Sequence, residues 1–441
     1  MSQNPSSLPL WRQLQGAASV LAGVAAGRST AQALAVLEPA LRPGAQALAF
    51  EALRRLGLAR ALRQQLARRP PPAEAEALLC TVLALASGPG PEAYADHTLV
   101  SQAVEAAKQS PAMRHQASFI NGCLRRFLRE RAELTERAHQ QAEARWNHPA
   151  WWVQRLKQDH PKAWQAILAA SQSRAPLTLR VNARRTERAA FLAALKAQGV
   201  AATAVGELGV VLTRSVAVTE LPGYAEGHFS VQDAGAQLAA PLLLEGLPDR
   251  PGLRLLDACA APGGKTAHLL ERADAQVLAL DVDAGRCERI HQNLSRLGLE
   301  ARVQVADAAD TGAWWDGQRF DGILLDAPCT ASGIVRRHPD VPWLRRASDV
   351  AQLAAQQARL LEALWPLLEP GGMMLYCTCS VFKAEGQSQV QTFLARHTEA
   401  QLLPSPGHLL PGAGEEAGQL PDNPAGGHDG FFYARLRKAE A

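Results

Sequence analysis

Two short runs hold the residues best suited to covalent chemistry. Asp326-Ala-Pro-Cys329 opens DAPCTASGIVRRHPDVPWL, and Tyr376-Cys-Thr-Cys379-Ser-Val381 places a second thiol, Cys379, 50 residues after Cys329. An isolated cysteine is usually a small buried filler. Here each thiol ends an apolar run that reads as a strand, and the two strands are expected to be neighbours. Two thiols at one functional edge favour chemistry over packing. Cys377 alternates with Cys379 through Thr378 and falls inside its strand, so it is read as packing. A zinc site is the competing use of these thiols. It is set aside because C-x-C has neither a second pair nor C-x-x-C geometry, with His338 the sole histidine nearby, so no metal is expected.

A third run, LLDACAAPGGKTAHL (Leu255–Leu269), is a strand, a loop of small residues and a helix start. Gly263 and Gly264 admit a ligand close to the backbone, at a helix N-terminus whose free amides favour anionic or polar groups. The ending GKT is like that of a Walker A loop, but Cys259 stands where that loop needs glycine, so triphosphate binding is disfavoured. Asp281, 24 residues after Asp257, ends the next apolar run, where an acid commonly accepts hydrogen bonds from a ribose diol. Asp307 and Asp326 end two more. One such Asp more often caps the following helix; successive acids beside a small-residue loop fit a nucleoside-bearing cofactor better.

The elements that must position these residues begin at about 253. LRLLDA, VLALDVD, RVQVAD, FDGILLD, MMLYCT and GFFYARLR are short apolar runs, mostly separated by helix-length segments. That pattern predicts a mainly parallel, doubly wound α/β sheet with its site at the strand carboxyl ends. Upstream, residues 1–145 are Ala-, Leu-, Gln- and Arg-rich with helical periodicity, predicting an all-α domain. Residues 146–240 read as a helical linker plus a small α/β subdomain around LTLRVNARR, and residues 241–441 as the sheet domain. Arginines cluster at Arg54, Arg55, Arg60, Arg63, Arg68 and Arg69, and again at Arg125, Arg126, Arg129 and Arg131. Each singly reads as a solvated helix face, but the clusters suggest a phosphate-binding surface.

The 441 residues, 47% hydrophobic and 20% charged, exclude a disordered or collagen-like chain. A net charge of +4 permits a nucleic-acid partner without arguing for one. The seven cysteines (Cys80, Cys123, Cys259, Cys287, Cys329, Cys377, Cys379) are odd in number and scattered, which suits reduced thiols better than a disulfide framework. No apolar run reaches the roughly 18 residues that span a bilayer. The expectation is a cytoplasmic protein.

Taken jointly, CAAPGGKT, Asp281, Asp307, DAPCTASG with RRHPD, and YCTCSV resemble the S-adenosylmethionine-dependent RNA cytosine-5 methyltransferases. They are most similar to the bacterial RsmB (Fmu/Sun) family, which acts on small-subunit ribosomal RNA. The resemblance covers nearly the whole chain. It implies a NusB-like helical domain that binds RNA, a small connecting domain and a Rossmann-like catalytic domain. It also implies that S-adenosyl-L-methionine is the cofactor. The loop Ala258, Cys259, Ala260, Ala261, Pro262, Gly263 and Gly264 would hold the methionine part, Asp281 the ribose, and Asp307 would lie near the adenine. Lys265 would contact cofactor or substrate. Asp326 would sit beside the target base and the cofactor, Cys379 would be the nucleophile, and Cys329 would assist product release. TASG after the Pro-Cys departs from the Ser-Gly of many relatives and leaves Asp326, Pro328 and Cys329 intact. Arg336, Arg337 and His338 are candidate RNA contacts.

The implied partner is 16S ribosomal RNA, free or partly assembled, acted on by a monomer with no DNA or membrane partner. Transfer RNA or another RNA is the alternative substrate. A non-catalytic NusB-like binding factor is the alternative of a different class, and the paired thiols and intact loop speak against it.

Overall fold

The computed structural model describes residues 8–88, 94–214, 216–412 and 427–440. The chain forms two compact units, one of residues 1–173 with 335–346 and the other of residues 174–334 with 347–441.

The first unit is helical. Its central helix, Ala73–Ala86, is apolar on nearly every face, with Ala75 and Ala77 through Ala84 buried, as expected of a helix that has neighbours all round. Helices Leu10–Ala25, Arg42–Leu53, Leu56–Leu66 and Asp96–Lys108 pack against it. Alanine-rich faces let these backbones approach closely. The closest approach is at Gly57, where a Cβ would lie 2.2 Å from the Glu143 carbonyl oxygen. Asn147, left-handed at φ 54°, joins three helix ends there. Its Oδ1 accepts from the Gly57 N–H at 2.8 Å, and its Nδ2 donates to the Leu53 carbonyl at 2.9 Å.

Residues 335–346 belong to this helical unit. Asp340 accepts from the N–H and hydroxyl of Thr30 at 2.8 and 3.0 Å, Arg54 donates to the Arg336 carbonyl at 2.9 Å, and the Arg60 guanidinium lies 4.8 Å from the Trp343 ring centre. Arg336, expected as an RNA contact, is instead buried at 3% exposure, because its segment packs on helices. Arg337 is half-buried and His338 exposed. The first arginine cluster also works internally. Arg55 pairs with Glu51 and Arg63 with Glu76, while Arg68 and Arg69 are exposed.

The second unit carries two sheets. Strands β1 (Leu177–Val181), β2 (Ala202–Val205), β3 (Gly209–Leu212) and β4 (Phe229–Val231) form an antiparallel sheet ordered β2-β3-β1-β4. Helix Arg188–Ala197 covers it through Phe191 and Leu195. The larger sheet comprises β5 (Leu253–Ala258), β6 (Ala275–Asp281), β7 (Arg302–Val305), β8 (Phe320–Asp326), β9 (Leu368–Thr378), β10 (Ala400–Leu409) and β11 (Phe431–Lys438), in the order β10-β11-β9-β8-β5-β6-β7. β5 to β9 pair in parallel, whereas β11 and β10 are antiparallel. β10 is absent from the sequence reading. Its AQLLPSPGHL carries two prolines, tolerated because the strand lies at the edge and its pairing shifts register between Leu403 and Gly407.

Apolar cores lie on both faces of this sheet. One includes Leu269, Ile290 and Leu294, the other Leu360, Leu364 and Phe393. Strand order reverses between β5 and β8, which opens the ligand crevice of a doubly wound sheet at their carboxyl ends. Among the described residues no helix is long and apolar enough to cross a membrane.

Arg180 of β1 is fully buried and clasps Glu271, its Nε and Nη2 donating to the two carboxylate oxygens at 3.0 and 2.8 Å. Its Nη1 donates to the Gly264 carbonyl at 3.0 Å, at the start of helix Gly264–Arg272. Glu271→Ala would leave this guanidinium buried without its carboxylate, so stability is expected to fall by about 3–5 kcal/mol, read as a lower urea midpoint. The Arg180→Met/Glu271→Leu double variant should recover much of that loss.

Candidate active site

The loop after β5 is shaped by its own backbone. Cys259 takes φ 63° and Gly263 φ 93°, the Ala261–Pro262 peptide is cis, and Gly263 caps helix Gly264–Arg272. Ala260 N–H donates to the Leu280 carbonyl of β6 at 2.8 Å, and Asn293 donates to the Pro262 carbonyl at 2.8 Å. Around Gly264 a Cβ would meet only Gln232, at 4.0 Å, so the helix N-terminus faces open space. Burial pushes the Cys259 thiol up to about 12, which suits a neutral wall of a pocket and not a nucleophile.

Asp281, ending β6, is buried, and its carboxylate accepts from the N–H groups of Ala261 and Asp283 at 3.2 and 3.1 Å. Arg286, half exposed, lies over it at 3.3 Å. The helix-capping role belongs to Asp283, which accepts from Arg286 N–H at 2.7 Å. Val282, between the two acids, is 65% exposed, an apolar surface open to a planar ring. Asp307 accepts from Ala309 N–H at 3.0 Å and pairs with Arg359 at 2.9 Å. Burial works against its charge, but these donors hold the carboxyl below its ordinary range. The small loop, open amide end, strand-end acids and bare Val282 together fit a nucleoside-bearing cofactor.

β8 and β9 bring the other expected residues together. Asp326 and Cys377 are cross-strand partners, and just beyond them the sulfurs of Cys329 and Cys379 lie 3.4 Å apart. Both thiols are half-buried, whereas Cys377 is fully buried. Its thiol donates to Asp326 Oδ1 at 3.5 Å, so the packing residue also orients the acid. Lys265 Nζ lies 2.5 Å from the other oxygen, Oδ2. Burial opposes the Lys265 charge, but the Asp326 carboxylate outweighs it and raises the lysine above its ordinary value. The hydrogen bond to Cys379, together with burial, pushes the Cys329 thiol well up, so Cys329 keeps its proton. Among the described residues no group of three or more His, Cys, Asp or Glu side chains is placed to hold a metal.

Sequence reasoning passed over a buried polar layer beneath the thiols. Glu385 and Gln357 are fully buried. Gln357 donates to the Pro328 carbonyl at 2.9 Å, Tyr376 donates to Gln357 at 3.1 Å, and Glu385 accepts from Thr330 and Ser380. A lone acid in a loop six residues after a cysteine reads as solvated, and nothing in its spacing signals otherwise.

Asp257, near the end of β5, accepts from the Thr266 hydroxyl at 2.6 Å through Oδ2, while its buried Oδ1 has no partner among the described residues. Burial, only partly countered by Thr266, pushes its carboxyl up to about 7. The folded state therefore holds this proton more tightly than the unfolded chain, whose aspartate titrates near about 4. Its stabilising share is present below that value and is lost as pH rises toward about 7. Asp257→Asn should flatten the fall in urea midpoint between pH 5 and pH 8. An unchanged slope would show that Asp257 does not titrate there.

Residues 246–437 match the family described as 16S rRNA methyltransferase RsmB/F, and residues 148–219 match the ferredoxin-like domain of Methyltr_RsmF/B-like proteins. Ribosomal RNA small subunit methyltransferase B of Vibrio cholerae serotype O1 is 44% identical over 352 residues, 78% of this chain and 77% of that one. Its counterpart from Pseudomonas putida is 46% identical over 328 residues, 73% of each chain. The crystal structure of PH0851 shares the fold over 98% of this chain and 99% of its own, with a TM-score of 0.76 at 24% identity. A methyltransferase homolog protein from Pyrococcus horikoshii covers 67% of this chain and 97% of its own, with a TM-score of 0.55 at 29% identity. With identity at this level across more than two thirds of both chains, the protein belongs to the RsmB/F family of 16S rRNA methyltransferases.

Proposed function

We propose that this protein methylates carbon 5 of a cytosine in 16S ribosomal RNA, with S-adenosyl-L-methionine as methyl donor and Cys379 as a transient covalent nucleophile. The observation that carries the reading is the pair of sulfurs 3.4 Å apart, beside the Lys265–Asp326 ion pair. A protein that only binds RNA has no use for that grouping.

Ala258 to Gly264, with Asp281 and Asp307, would hold the cofactor, which supplies an electrophilic methyl group when bound. Carbon 5 of cytosine is too weak a nucleophile unaided. Cys379 adds its sulfur to carbon 6, and the displaced π electrons run toward the ring nitrogen and carbonyl. Asp326 faces that nitrogen in this reading and passes to it the proton that the Cys379 thiol gives up, while Lys265, whose Nζ lies 2.5 Å from the Asp326 carboxylate, stabilises the negative charge that develops on the ring. Carbon 5 is then electron-rich enough to take the methyl group, a step governed by relative positioning. Water takes the carbon 5 proton, its bonding electrons form the carbon 5–carbon 6 double bond as the sulfur–carbon bond breaks, and the departing Cys379 sulfur takes back the proton lent to the ring nitrogen, which restores the aromatic ring. Cys329, a protonated thiol in contact with the leaving sulfur, serves that release. The base must be unpaired or flipped out, because carbon 6 is shielded in a stack. The homologous enzymes' names favour ribosomal over transfer RNA as substrate.

Labelled methyl transfer to deproteinised 16S ribosomal RNA, followed by nucleoside analysis, tests the reading, and label outside 5-methylcytosine would overturn it. Cys379→Ala should abolish both transfer and adduct. Cys329→Ala should accumulate protein on RNA that survives a denaturing gel, whereas an adduct trapped by the Cys379 variant instead would exchange the two roles. Lys265→Gln, which removes the charge beside Asp326, should lower kcat by about 10²–10³.

A further inference from the structure

The ladder that joins β8 to β9 stops short of the chemistry. Its pairing ends at Asp326 opposite Cys377, and both Cys329 and Cys379 stand in the loops beyond. Beyond the ladder the two loops touch directly, Gly333 N–H donating to the Cys379 carbonyl at 2.9 Å and the Ser332 and Ser380 hydroxyls lying 2.8 Å apart, but those contacts follow the cysteines in at least one loop and leave the chain beside Cys329 to be fixed by another segment.

Glu385 lies on that segment. Its backbone is tied to β9, because the Tyr376 hydroxyl and the Thr378 hydroxyl donate to the Glu385 carbonyl at 2.8 and 3.2 Å. Its carboxylate reaches the residue after each cysteine. It accepts from the N–H and hydroxyl of Thr330 at 2.8 and 2.5 Å, and from the Ser380 hydroxyl at 2.6 Å. Gln357, which fixes the Pro328 carbonyl, adds a longer donor at 3.4 Å. Several donors converge on one buried carboxylate, which accepts from all of them without any hydroxyl having to reverse. A glutamine there would place an NH₂ donor among donors. The chain on both sides of Cys329 is thus fixed by the same cluster that fixes the chain after Cys379.

We infer that Glu385 is the positioning residue that holds the Cys329 and Cys379 loops at reacting distance, a role that rests on the two-thiol reading of the site above. It acts through the residues beside the cysteines, its carboxylate on Thr330 and Ser380 and its backbone carbonyl on Thr378.

The test uses the full-length protein and phenylarsine oxide, which bridges two thiols only when their sulfurs lie close. Both thiol protons and the arsenic oxygen leave as water, the two sulfurs bind arsenic, and nothing is oxidised. Capture that disappears in Cys329→Ala assigns the signal to this pair. Glu385→Gln should slow capture at least about tenfold and lower kcat similarly, the penalty of reacting groups held loosely, while leaving the dissociation constant for S-adenosyl-L-methionine within about twofold. Thr330→Val/Ser380→Ala, which keeps the carboxylate and removes its two hydroxyl donors, should do the same and covers the case in which the Glu385 variant fails to fold. Wild-type capture and kcat in either folded variant would overturn the inference. So would a cofactor affinity that falls in step with kcat, since that marks general collapse of the site. If the unaltered protein forms no Cys379 adduct yet Glu385→Gln still slows capture, the positioning role stands and the cytosine-5 reading falls.

Discussion

The register between β8 and β9 is the constraint on which the site depends. Parallel pairing sets Asp326 opposite Cys377, and from that single alignment the two chain segments leave the sheet side by side. A slip of one residue would turn every side chain of one strand to the opposite face. It would remove Cys377 from Asp326 and carry Cys379 away from Cys329. The register is secured by burial on both faces. Ile323, Leu324, Leu325, Met374, Leu375 and Tyr376 are all fully buried, so any slip forces apolar side chains into the wrong core. The apolar interior thereby determines where two thiols meet at its edge.

Helix Gly264–Arg272 is matched by charge at both ends. Lys265 and Asp326 answer each other at one end of helix Gly264–Arg272, and Glu271, near the other end, answers Arg180. Arg180 also holds the Gly264 carbonyl, one residue before Lys265. The small antiparallel sheet that contributes Arg180 is therefore part of what orients the lysine of the site. Thr266, on the same first turn, takes up Asp257. One short helix thus presents its amide end to the crevice, its lysine to Asp326 and its threonine to a buried acid.

The helical unit follows a different economy of charge. Of the first arginine cluster, Arg54 and Arg60 secure the segment 335–346, and Arg55 and Arg63 join glutamates of their own unit. A guanidinium that bonds a carbonyl or lies on an indole serves packing as well as charge. Arg68 and Arg69, exposed beyond the end of helix Leu56–Leu66, differ from them in position and not in residue type.

Local pattern was enough to identify the Rossmann-like sheet, the glycine loop and the acids at strand ends, because strand alternation and turn chemistry act between near neighbours in the chain. The same reading singled out Cys329, Cys379 and Asp326, since unusual residues at strand ends stand out in one dimension. It passed over β10, whose prolines are tolerated only at a sheet edge, and it placed Arg336 toward RNA although that residue is buried. It gave no role to Glu385 or Gln357 and assigned Lys265 to cofactor or substrate without its ion pair to Asp326. Each of those depends on which segments, tens of residues apart, the packed cores bring within hydrogen-bonding range. Hydrophobic periodicity determines the elements; the partners of a buried polar group are decided by tertiary packing, because such a group's energy depends on donors and acceptors that the linear sequence does not place beside it.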